Sequence, residues 1–222
     1  MQARYRADYA GEFVITETRW SGGRKTQTRE WIANPIANHH ISGRAACIGS
    51  ELDTWQFDHR RLARHRGGLL GSKKLQTYGT GDIAATMRLD FIVETRANQL
   101  TDLQSLGYTE KNIVYSTARQ CLSYPGELYL IPLAPAPALL DLASIVRLAA
   151  FDGHQEIFLL GYNKETPVEN DTWHNQISQI VQIYSGVRFY FVGHASAMYD
   201  AWLDCSNSNS MSYREFISYC DI

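Results

Sequence analysis

Residues 137–167 read PALLDLASIVRLAAFDGHQEIFLLGYNKETP, and the fold turns on how this stretch is parsed. Leu139, Leu142, Ala143, Val146, Leu148 and Ala149 recur at helical spacing with little polar interruption, and Gly153 marks the end of that helix. Ile157, Phe158, Leu159 and Leu160 follow as an unbroken apolar run. A strand covered on both faces has this pattern, because neither side of its pleat meets water. Gly161, Tyr162 and Asn163 then leave the strand at the edge where open α/β sheets bind ligands.

The same alternation extends outward in both directions. Downstream, Asp171 and Thr172 cap a helix whose apolar face is Trp173, Ile177, Ile180, Val181 and Tyr184. A strand over 187–193 and a short helix over 195–203 come next, then a polar loop over 205–210 and a closing segment over 213–219. Upstream, residues 45–48 give the first core strand, which exits through Gly49 and Ser50. Further strands are expected over 75–78, 89–94, 112–116 and 127–133. A helix starting near Ile83 is expected to be capped by Asp82, and another over 100–106 ends at Gly107. Strands alternating with helices through short connections predict an α/β, Rossmann-like domain over 36–222, with a mainly parallel sheet and helices on both faces.

Residues 1–35 differ. Strand-forming residues over 11–20, a turn at Ser21-Gly22-Gly23 and an alternating run over 25–32 predict a β-hairpin arm. An isolated hairpin is marginal in water, so this one must pack on the body or on a partner.

Composition narrows the setting. The 222 residues are 45% hydrophobic and 20% charged, with a net charge of −2. This is an ordinary globular balance, without the global field that nucleic acid or an anionic membrane surface would favour. No apolar run approaches the roughly 20 residues that span a bilayer, and MQARYRADYAGEF is too polar for a secretory signal. Cys47, Cys121, Cys205 and Cys220 are scattered without a C-x-x-C pair, so reduced thiols in a cytoplasmic setting are expected.

Candidate site residues fall in two places. Between His59 and Lys74 the chain packs six basic residues and two histidines into 16 positions, interleaved with glycines. Arg60, Arg61, Arg64, Lys73 and Lys74 suit a diphosphate through charge-assisted hydrogen bonds; a solvated basic helix is the plainer reading of the same residues. Gly49 and Ser50 allow close approach of a ligand to the backbone, although no G-x-G-x-x-G or Walker sequence surrounds them. The second place is the exit of the 157–160 strand, with Gly161 and Asn163. His194 follows Gly193 at a strand end and is a candidate base. His39 and His40 belong to a connector, and His154 is expected to cap the last carbonyls of the long helix. Asp82, Asp90, Glu94 and Asp171 are carboxylates that fit either a base or a cap. No metal-ligand spacing and no nucleophile elbow is present.

Two resemblances bear on these residues. Gly153-His154-Gln155-Glu156-Ile157-Phe158-Leu159-Leu160-Gly161-Tyr162-Asn163, with Gly49, Ser50 and Leu52 earlier, resembles Rossmann-like bacterial sialyltransferases and the related 6-hydroxymethylpterin pyrophosphokinase-like proteins. That group carries a phosphate-binding Ser/Thr-Gly where Pro137-Ala138 stands here, and an acid where Asn163 stands. Its base is a histidine after the G-x-D strand, which points to the region of His174. The chain as a whole resembles uncharacterised proteins of tailed phages, particularly those of cyanobacteria.

The resemblances imply a nucleotide- or nucleotide-sugar-binding protein of glycosyltransferase-like fold, a transferase if it is catalytic. The alternative is a non-catalytic phage virion or assembly protein that docks through its hairpin. Nucleic acid is a weaker partner, a membrane is not expected, and no cofactor is specified.

Overall fold

The computed structural model describes residues 12–21, 23–33, 42–49, 52, 57–63, 75–124, 127–132, 141–162, 172–194 and 200–222. The N-terminal hairpin is present as β1 (Glu12–Ser21) and β2 (Arg24–Ala33), antiparallel from Glu12 opposite Ala33 to Ser21 opposite Arg24. Its tight turn places Gly23 at φ +77°, a backbone region that glycine enters without a Cβ penalty. The two strands form a sheet of their own.

The remaining strands build one eight-stranded parallel sheet. They are β3 (Arg44–Ile48), β4 (Gln76–Gly79), β5 (Phe91–Val93), β6 (Ile113–Ser116), β7 (Tyr129–Leu130), β8 (Glu156–Leu160), β9 (Arg188–Val192) and β10 (Ser208–Met211). Their spatial order is β10-β9-β8-β3-β4-β5-β6-β7, with every neighbouring pair parallel. The chain starts at β3, runs outward to β7, returns to the other flank of β3 as β8, and runs outward again to β10. The order therefore reverses between β3 and β8.

That reversal assigns the helices to faces. Parallel crossovers are right-handed, so connections running one way along the sheet cover one face and those running the other way cover the opposite face. Outward from β3 lie α1 (Arg60–Ala63), α2 (Gly81–Ala84), α3 (Ala97–Ser105), α4 (Tyr108–Lys111) and α5 (Ala118–Ser123). Leu62, Leu100, Leu103 and Cys121 from these helices pack with Ala46, Ile48, Phe158 and Leu160. On the return lie α6 (Asp141–Phe151), α7 (Thr172–Ile183) and α8 (Asp200–Leu203). Ile145, Ala149, Ile177 and Trp202 pack with Ala45, Cys47, Ile157 and Leu159 on the other face. Successive residues of β3 and β8 thus belong to different cores, which is why both strands read as unbroken apolar runs. The final helix, α9 (Tyr213–Cys220), returns to the first face through Tyr213, Phe216 and Cys220. Ser212 caps it in a reciprocal box with Glu215.

Three local expectations need correction. The polar stretch over 205–210 is not all loop. Ser208–Met211 is an edge strand held by the backbone ladder to β9, and short polar edge strands carry no apolar signature. Asp82 does not cap α2; Thr80 is the N-cap residue, without a side-chain cap bond, and Asp82 pairs with Arg96 at 2.7 Å. His154 does not cap α6 with its ring; that ring is buried against Tyr78 and the Ser42 carbonyl. The short helices α4 and α5 carry too few residues for a periodic pattern to show.

All four cysteines are free. Among the described residues, no helix is long and apolar enough to cross a membrane.

Candidate functional site at the strand reversal

Two strand ends meet where the order reverses. The Gly49 amide, just past β3, donates to the Leu160 carbonyl at the end of β8 over 2.8 Å. A Cβ on Gly49 would stand 2.5 Å from the Gly161 carbonyl oxygen and 3.2 Å from the Tyr162 ring. Gly161 itself is at φ +73°. Glycine is required at 49 by the close approach of its own neighbour strand, and at 161 by the turn that leaves β8.

Tyr162 then fastens this edge to the first turn of α6. Its hydroxyl donates to the Leu142 carbonyl over 3.2 Å, and its ring meets Trp173 edge-on at 6.0 Å. Burial pushes the Tyr162 phenol pKa well up, and it remains a neutral donor.

The ends of β4 and β5 add a polar cluster on the same edge. Glu94 is fully buried and accepts from the Gly81 amide (3.2 Å), the Arg96 amide (2.9 Å) and the Arg96 guanidinium at Nε (2.9 Å) and Nη2 (2.8 Å). Arg96 Nη2 also donates to Asp82 over 2.7 Å. Hydrogen bonding to Glu94 holds the guanidinium firmly protonated. Beside it, the Thr95 hydroxyl donates to Asp141 Oδ1 over 2.8 Å, which ties the end of β5 to the start of α6. Burial raises the Asp141 carboxyl pKa, and the Glu94 charge adds to that rise. The edge therefore offers buried and half-buried carboxylates, one fixed guanidinium and hydroxyls, a set suited to hydroxyl-rich ligands.

The structure brings some of the expected residues together and disperses others. Gly49 and Gly161 are neighbours at the reversal. His194 is exposed on the same edge, one strand beyond β8 and just after Gly193. His174 is buried in the first turn of α7, its ring centroid 3.6 Å from that of Trp173 and 5.6 Å from that of Trp202. Arg60 and Arg61 are exposed on α1 and engaged within the chain: Arg60 with Asp58 over 2.9 Å, Arg61 with the Ile222 carbonyl over 3.2 Å. Ser50, Arg64, Lys73, Lys74, Asn163 and Asp171 lie outside the described residues, as do His39 and His40. Asp90 serves the sheet, accepting from the Thr77 amide and hydroxyl across β4 and β5.

Arg96 and Asp141 were not singled out from sequence. The signal for Arg96 is its place between a strand and a helix, three residues past Val93 and directly before α3; Asp141 reads in sequence as the one acid opening an apolar helix. Among the described residues, no group of three or more His, Cys, Asp or Glu is placed to hold a metal ion. Compared with protein-family models, curated proteins and solved structures, the chain matches none.

Proposed function

We infer that this protein binds a nucleotide or nucleotide-sugar at the C-terminal edge of its sheet, in the manner of a glycosyltransferase-like Rossmann domain. The observation that carries this reading is the reversal of strand order between β3 and β8. At such a point the connections diverge to opposite faces and leave a crevice between them, where ligands of open α/β sheets sit. Gly49 and Gly161 form its floor, Tyr162 and the start of α6 one wall, and the Glu94–Arg96 pair its far end. His194 is the exposed base on that edge. A transferase activity would draw on His194 or His174 as its base; His194 is exposed and His174 is buried.

A thermal-shift screen of the full chain against nucleotides and nucleotide-sugars at millimolar concentration tests the reading. A ligand at a hundred times its Kd is expected to raise Tm by about 5–10 °C in a chain of this size. No shift with any of them removes the support for it.

The separate hairpin sheet favours a second reading, a phage virion or assembly protein that docks on a partner through β1 and β2. Fixed stoichiometry in purified particles is the expected result there. Unchanged assembly after deletion of residues 1–34 counts against it.

A further inference from the structure

Where three neighbouring strands begin, the side chains carry more positive charge than their pairing uses. Arg44 opens β3, Glu156 opens β8 and Arg188 opens β9, and the ladders set Arg44 opposite Glu156 and Glu156 opposite Arg188. In-register neighbours of a parallel sheet point to the same face, and adjacent strands lie about 4.8 Å apart. An arginine therefore stands on either side of one carboxylate, on the face that α9 covers.

Both guanidiniums meet that carboxylate. Arg44 Nε donates to Glu156 Oε2 over 2.6 Å, and Arg188 Nη2 pairs with Oε1 at 2.7 Å. The Tyr219 hydroxyl donates to Oε1 as well, over 2.6 Å. Arg44 Nη1 donates to the Tyr219 carbonyl over 3.4 Å, and the Arg44 guanidinium lies 4.8 Å from the centre of the Tyr219 ring. α9 thus holds Arg44 from one side, while Glu156 holds both arginines from the other.

One guanidinium would neutralise Glu156, and two leave a unit of positive charge. Among the described residues, the groups in contact with this row do not cancel it. Burial pushes the Glu156 carboxyl pKa up, but its bonds to Tyr219 and Arg44 prevail and keep it ionised. The bond to Glu156 pushes the Tyr219 phenol up to about 12, and burial pushes the Cys220 thiol to about 12, so both are neutral. At the end of α9, Arg61 on the Ile222 carbonyl and Asp221 add one charge of each sign.

The row also keeps donors in reserve. A guanidinium carries five N–H donors in a planar fork. The contacts above use two nitrogens of Arg44 and one of Arg188, whose side chains are 34% and 60% exposed. Both groups therefore still present donors to solvent, at positions their partners have already fixed.

We propose that Arg44 and Arg188 form a clamp for a phosphoryl group, free or carried on a small molecule, with Glu156 as the spacer that holds the two guanidiniums side by side. Glu156 meets each guanidinium through a single nitrogen. A phosphoryl group has three acceptor oxygens, enough to reach both forks, and guanidinium planes match phosphate through paired hydrogen bonds. Its negative charge meets the surplus on the row. Because the arginines are already ordered, binding immobilises little that was free. The clamp lies where the strands begin, at the opposite end of the sheet from Gly49 and Gly161, and does not depend on what binds in the crevice.

Titration of the full chain with inorganic phosphate, followed by nitrogen-15 NMR of the arginine Nε–Hε groups at constant ionic strength in chloride, tests the clamp. Saturable shifts of the Arg44 and Arg188 signals are expected, with one phosphate per chain. Arg188→Gln is expected to weaken binding by about tenfold or more; its exposure, and the Arg44 bond that Glu156 keeps, preserve the fold. Arg214→Gln, exposed elsewhere on α9, is expected to leave binding unchanged. A parallel titration with glycerol 3-phosphate separates the two sources: tighter binding than inorganic phosphate assigns the clamp to an ester, weaker binding to the free ion. Shifts that rise without saturation for both probes, equal affinity in Arg188→Gln, or an equal loss in Arg214→Gln overturn the proposal.

Discussion

Gly49 and Gly161 press backbone to backbone across the one seam where the strand order reverses. With the Gly49 amide on the Leu160 carbonyl, the Gly161 oxygen sits 2.5 Å from where a Gly49 side chain would begin. Gly49→Ala is therefore expected to force β3 and β8 apart at their ends. A cost of about 1–3 kcal/mol is typical of overpacking against atoms that cannot move aside. Denaturant unfolding reads the loss, and any nucleotide-induced thermal shift is expected to shrink with it. Gly161→Ala meets a different obstacle, the positive φ, and is expected to cost about 1 kcal/mol.

The buried Glu94 carboxylate depends on Arg96. Among the described residues, Arg96→Ala leaves that carboxylate only the amides of Gly81 and residue 96 as donors. Removing one partner of a fully buried pair costs about 3–5 kcal/mol. Because the guanidinium is half exposed, solvent screens part of this, and a loss of about 1–3 kcal/mol is expected from urea midpoints. Arg96→Lys is expected to recover little, since one ammonium cannot reproduce the fork that grips both carboxylate oxygens and Asp82.

Glu156 gives the fold an acid limit. Burial pushes its carboxyl pKa up, but hydrogen bonds from Tyr219 and Arg44, with the charges of Arg44 and Arg188, prevail and hold it below the usual carboxylate value. A folded value below the unfolded one means stability present above the ordinary pKa and lost as pH falls through it. Unfolding midpoints are expected to drop below about pH 4.3 in the unsubstituted chain, and to drop less steeply in Glu156→Gln.

Thiol chemistry should separate the cysteines by burial. Cys47, Cys121 and Cys220 are buried, with the Cys121 and Cys220 thiols pushed up to about 12 by burial, and Cys47 shifted further in the same direction. Cys205 alone is half exposed. With an aromatic disulfide reagent at pH 8, one thiol is expected to react promptly and three only on unfolding. Cys205→Ser is expected to abolish the prompt phase.

Ser212 and Glu215 cap α9 reciprocally. Ser212→Ala is expected to cost about 1 kcal/mol, the usual value of an N-cap hydroxyl, in thermal or urea unfolding.

The sequence by itself determined the class of fold. Residues 139–160 could only be a buried helix and a strand covered on both faces, because nothing along Ile157–Leu160 offers water a polar side. Alternation of such units left a parallel sheet with helices above and below as the way to bury them. The glycines at 49 and 161 were legible too, since each follows a strand and marks a sharp exit. Tertiary structure decided what these pieces meet. The order β8-β3-β4 is a matter of which strand ladders beside which, and apolar runs of similar composition do not encode that choice locally. The same holds for Arg96 on Glu94, and for Tyr78 between Asp152 and His154, 74 and 76 residues away. His154 shows the difference most plainly. Its position after a helix suggested a cap, but a ring nitrogen is satisfied by whatever polar group the packing brings to it, and here the packing brings a phenol and a carbonyl from distant parts of the chain.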